Sequence, residues 1–150
     1  MGLFDKVFGG ARTEQQQDVL NPPEAFAAIV LVAVASDGYL SDEESTGVYT
    51  TLSRMQMFKN YSTDVVRRMF DKLLGIMRRD GAGSLVDLAI ASLPFELKET
   101  VFAVATDLVL ADGHVAEEEK KFLNDLQIAL GLNDAIAIKI IEVLLIKNRG

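Results

Sequence analysis

Four acids carry the chemistry this sequence offers. Asp37 and Glu44 stand in DGYLSDEE, and Asp112 and Glu119 stand in DGHVAEEE. Carboxylate oxygens are hard donors, which suit calcium or magnesium best and also serve zinc or manganese. Each stretch matches the second half of an EF-hand loop. With Gly38 at the loop's glycine position, Asp37 falls just before it and Glu44 at the closing glutamate position. The two early ligand positions then fall on Ala33 and Ala35, or on Leu108 and Leu110 in the second stretch, which carry no side-chain oxygen. One turn alone supplies too few oxygens for a cation that takes about six. Two facing turns can share one ion. The expectation is a single divalent-cation site built by Asp37, Glu44, Asp112 and Glu119.

A purely structural role competes with this. Ser41 and Glu44 have the spacing of a capping box, in which the glutamate does no more than satisfy a backbone amide. The second stretch has Ala116 where Ser41 stands, which cannot cap through its side chain, yet Glu119 is retained. That contrast favours a ligand role. His114, beside the second turn, either ligates zinc and tunes a pH response or is solvated like most loop histidines. Asp107 interrupts an apolar helix, so it needs a Lys or Arg partner or a supporting place behind the site.

These turns must be held by helices. Asn21-Pro22-Pro23-Glu24 opens a helix running to about Ser36, and its apolar composition marks it as buried. Ser41 starts a second, to about Met55. A third spans Thr63 to about Asp80, with Val65, Val66, Met69, Phe70, Leu73, Leu74 and Met77 at helical spacing. Gly81 and Gly83 break it, and Ser84 starts a fourth through Leu93. Pro94 opens a fifth, ending near Ala111. A sixth runs from Glu117 to Leu130 and stops at Gly131, and Asn133 caps a seventh to about Asn148. No segment alternates with period two. The fold class is all-α, about seven helices.

The two acidic turns are copies. Asp37 and Asp112, Gly38 and Gly113, Leu40 and Val115, Glu44 and Glu119 pair at a constant offset of 75 residues. In each copy an apolar helix enters Asp-Gly and an acidic helix leaves. Duplicated helical hairpins packed about a pseudo-twofold axis would bring both turns to one end of a bundle. The glycine allows the positive φ of a sharp helix reversal, and Leu40 and Val115 anchor the turns in the core.

The rest of the composition narrows the role. The chain has 150 residues, 22 acids against 15 bases, a formal charge of −7, one His and no Cys. The length suits one domain, with residues 1–21 as an amphipathic segment and linker and 22–150 as its core. The charge repels nucleic-acid phosphate. The lack of cysteine excludes disulfides and thiolate zinc sites and fits a cytoplasmic setting. The longest apolar run, Ala25 to Ala35, is too short to span a bilayer. The start MGLFDKVFGG lacks a signal-peptide pattern, and Lys6 stands where a myristoylation motif wants Ser or Thr. Leu3, Phe4, Val7 and Phe8 form an apolar edge, read as docking on the core in preference to a membrane surface. Arg67, Arg68, Lys72, Arg78 and Arg79 make the third helix basic: a solvated face, or a patch for an acidic partner.

The doubled Asp-Gly-x-hydrophobic-x-x-x-Glu pattern, together with the FDKV start, resembles the TerB family of tellurite-resistance proteins over nearly the whole chain. The resemblance implies a helical fold of about seven helices with a metal site at Asp37, Glu44, Asp112 and Glu119. It implies a non-enzymatic part in tellurite resistance and stress response, with protein partners linked to the inner face of the membrane. A metal-free interaction scaffold is the alternative. A metal-dependent hydrolase is the weakest reading, since no phosphate loop, nucleophile motif or substrate-orienting cluster is evident.

Overall fold

A computed structural model describes residues 19–35, 38–111 and 113–149. Among these lie seven α-helices and no strand. They are α1 (Pro22–Val34), α2 (Asp42–Ser53), α3 (Thr63–Asp80), α4 (Ala82–Ser92), α5 (Lys98–Leu110), α6 (Glu117–Leu130) and α7 (Asp134–Lys147). Two 3-10 turns, Gln56–Phe58 and Phe95–Leu97, precede α3 and α5. The N-terminal edge of Leu3, Phe4, Val7 and Phe8 lies outside the described residues. No described helix is long and apolar enough to cross a membrane.

The core is organised around α1. Asn21 Oδ1 accepts from the Glu24 amide at 2.8 Å while Glu24 Oε1 accepts from the Asn21 amide at 3.0 Å, a complete capping box. Beyond that start the helix is apolar on every side, and a helix apolar all round must be covered all round. Every side chain from Ala25 to Leu31 is fully buried, under α3, α4 and α5. Alanine at positions 25, 27 and 28 lets those neighbours approach closely. Glu24 also meets Lys72 Nζ at 2.9 Å, tying the start of α1 to the middle of α3.

The remaining helices start and stop for local reasons. Ser62 Oγ accepts from the Val65 amide at 3.2 Å, and Asn133 Oδ1 from the Ile136 amide at 2.9 Å. Gly131, at φ 74°, ends α6 with the left-handed residue that such a stop requires. The bounds of α3 and α6 agree with the sequence reading. The start of α4 does not: it begins at Ala82, directly after Gly81 at φ 94°, and Gly83 lies inside the helix. Pro94 also leads into a 3-10 turn, and the α-helix begins four residues later at Lys98.

Asp107 has found its partners at the far end of the chain. Its Oδ1 accepts from Asn148 Nδ2 at 2.8 Å and lies 3.3 Å from Lys147 Nζ. This half-buried carboxylate therefore pins the end of α7 to α5 and does not support the acidic turns.

Candidate functional site

Leu40 and Val115 are half-buried against the core, as anchors for the two turns. From them the chain enters α2 and α6, whose first turns carry Asp42, Glu43, Glu44 and Glu117, Glu118, Glu119. Three acids at each helix start favour the positive end of the helix dipole.

Glu44 and Glu119 line one cleft of about 530 Å³. Val34, Ser41, Glu43, Gly47 and Val48 form one wall, and Leu108, Val109 and Ala111 form the other. The ends of α1 and α5 and the glutamates of α2 and α6 thus border a shared space. Asp37 and Asp112, the other two expected ligands, lie outside the described residues. Among the described residues, no three His, Asp or Glu side chains gather closely enough to hold a metal ion. Two carboxylates of the right chemistry face one cleft, and they are short of a coordination shell by number.

Both glutamates already have structural work. Glu44 Oε1 accepts from the Ser41 amide at 2.9 Å, and Ser41 Oγ accepts from the Glu44 amide at 3.0 Å. Glu119 Oε1 accepts from the Ala116 amide at 2.8 Å, although Ala116 gives nothing back from its side chain. The contrast drawn from sequence at Ala116 therefore loses its force, because half a capping box is reason enough to keep Glu119. Each carboxylate still has its second oxygen, and a carboxylate that caps a helix through one oxygen can ligate through the other.

The two turns are not equivalent. Arg78, from the end of α3, donates through Nη1 to the Gly38 carbonyl at 2.7 Å, and its guanidinium sits 5.1 Å from the centre of the Tyr39 ring. Gly38 has φ 88°, and a Cβ there would collide with Arg78 Cγ. Gly113 has φ 76° with no neighbour within 4 Å of a Cβ position. Arg78 thus clamps the first turn and fills the space beside its glycine, whereas the space beside Gly113 is open. Sequence reading placed Arg78 in a basic run on α3, with no local signal that it reaches back 40 residues to the turn.

That basic run is largely engaged within the molecule. Lys72 pairs with Glu24, Arg67 lies 3.6 Å from Asp64, and Arg79 pairs with Asp80 at 2.8 Å. The Arg79 hydrogen bond holds the Asp80 carboxyl below the usual carboxylate range. His114 is exposed beside the second turn.

Among the described residues the protein is all-helical, with an acidic cleft beside the starts of α2 and α6. Compared with known proteins, the chain matches no protein-family model, no curated protein and no solved structure.

Proposed function

We propose that the protein is a non-enzymatic divalent-cation module, with one ion held between two duplicated hairpins related by a pseudo-twofold axis. The observation that supports this is the shared cleft of Glu44 and Glu119, one from each hairpin. Asp37 and Asp112, adjoining Gly38 and Gly113 in sequence, would complete a mostly carboxylate shell. Calcium or magnesium suits such a shell best, with zinc or manganese as weaker fits. On the resemblance of its doubled Asp-Gly…Glu pattern to the TerB family, such a module would serve tellurite resistance and stress response, working with protein partners at the inner face of a membrane. Titration of chelator-stripped protein with these four cations tests the reading. Saturable binding of one ion per chain is expected, and no response to any of the four would remove it.

A metal-free interaction scaffold is the second reading, and one observation favours it. Both glutamates already cap a helix start through Oε1. On this reading the acids hold α2 and α6 in place and the surface alone recruits partners.

A further inference from the structure

We propose that the groove between α6 and α7 binds a medium-chain aliphatic carboxylate, one molecule per chain. α6 and α7 both pack on α5 and make little contact with each other, and a groove of about 350 Å³ runs between them. That volume lies at the lower end of small-molecule sites. Phe102 and Leu110 of α5 form its floor, Leu123 of α6 one wall, and Ile141 and Leu145 of α7 the other. Thr106 also lines the floor, but its Oγ1 is itself buried, so the floor presents carbon there. Leu145 is 49% exposed, so an apolar molecule entering the groove takes part of the α7 wall out of water.

The charges around the groove select the head of the ligand. Among the described residues Lys120 is the one charged side chain that lines it, and no acid does. In a chain of net charge −7 this is a local reversal. The cleft between α2 and α3 differs, being lined by Asp42 and Asp71 as well as Arg67 and Arg78, and the cleft of Glu44 and Glu119 is acidic. Lys120 Nζ lies 3.1 Å from Glu117 Oε2, with the two side chains 60% and 89% exposed. A pair so exposed holds its lysine weakly. The long stem then lies over apolar surface while the ammonium meets an incoming anion. Asn124, one turn further along α6, adds an amide donor at the same edge. Phe102 to Leu110 along α5 and Lys120 to Gln127 along α6 each run about 10–12 Å, the extended length of a chain of roughly eight to ten carbons. A carboxylate at Lys120 thus directs an unbranched tail along the groove toward Gln127.

Burial of the tail supplies most of the affinity, about three- to fourfold per methylene until the groove is filled. The exposed lysine mainly sets the direction of the ligand and adds about threefold. A Kd on the order of ten to a hundred micromolar is expected for a ten-carbon acid.

The test is calorimetric titration of the full chain with octanoate, decanoate and dodecanoate below their micelle concentrations, and with decanol. Wild type is expected to bind one acid per chain, more tightly as the chain lengthens from octanoate to decanoate, and to prefer decanoate to decanol by about threefold. Lys120→Met keeps the stem and is expected to erase that preference while leaving decanol unchanged. Leu145→Glu puts a charge in the α7 wall and is expected to weaken acid and alcohol alike by about tenfold or more. Both positions are exposed, and both variants are checked for unchanged helical content and melting. No binding at any chain length overturns the proposal, as does binding indifferent to Leu145→Glu. Decanol bound as tightly as decanoate, with no effect of Lys120→Met, overturns it in favour of a neutral ligand. Acid binding that arises only in Phe4→Ser/Phe8→Ser overturns it by giving the groove to the chain's own apolar start. A dimer in sedimentation equilibrium that excludes the acids and is lost in Leu145→Glu overturns it by giving the groove to a second copy.

Discussion

Arg78 Nη1 lies 2.7 Å from the carbonyl oxygen of Gly38, and the Arg78 side chain fills the space a Cβ on Gly38 would occupy. The C-terminal end of α3 therefore fixes the first acidic turn, while a Cβ on Gly113 in the second would meet no atom within 4 Å. The two copies of the motif are alike in sequence and differ in the space beside their glycines.

This inequality gives a paired test. Gly38→Ala meets both a positive φ and a steric block, and is expected to destabilise the fold by about 3 kcal/mol. Gly113→Ala meets the backbone cost alone, about 1 kcal/mol. Chemical denaturation of both variants measures the difference.

Removal of the clamp should act on the same turn. Arg78→Met keeps much of the aliphatic stem and loses both the hydrogen bond to Gly38 and the contact with the Tyr39 ring. The expected loss is about 1–2 kcal/mol, with Arg78→Lys in between, read from the denaturation midpoint.

The missing half of the second capping box can be added. Ala116→Ser would give α6 the side-chain acceptor that Ser41 gives α2, and is expected to stabilise by about 0.5–1 kcal/mol. Thermal melting reads this directly. No gain would mean that the Glu119 amide is already well served by the Ala116 carbonyl, 3.0 Å away.

Thr106 offers a stabilising change in the core. It is fully buried, and its Oγ1 has no hydrogen-bond partner among the described residues. Val is nearly the same shape without the buried hydroxyl, so Thr106→Val is expected to stabilise by about 1 kcal/mol in the same melts.

Much of the fold was legible because its signals are local. Ser62 and Asn133 sit at helix starts, Gly131 at a helix end, and the spacing of Val66, Met69, Phe70 and Leu73 marks the buried side of α3. The start of α4 was misread because Gly81 alone turns the chain, leaving Gly83 free to be helical. The four acids stood out through their repetition, but the role of Arg78 did not, because its contact spans 40 residues and no sequence period encodes it. The capping bond of Glu119 was missed for a subtler reason. A box with one half deleted still functions in the other direction, and sequence reasoning had treated the box as a unit.

The central claim, one cation shared by two hairpins, is tested most directly by calorimetric titration of the single variants Glu44→Gln and Glu119→Gln beside wild type. Glutamine retains the capping oxygen, so both variants are expected to stay folded. A shared site predicts one ion per wild-type chain, with affinity lost or reduced at least tenfold in either single variant. Two ions per chain, with each variant losing only one, would contradict sharing. No binding by calcium, magnesium, manganese or zinc would contradict the cation reading altogether and leave Glu44 and Glu119 as helix caps.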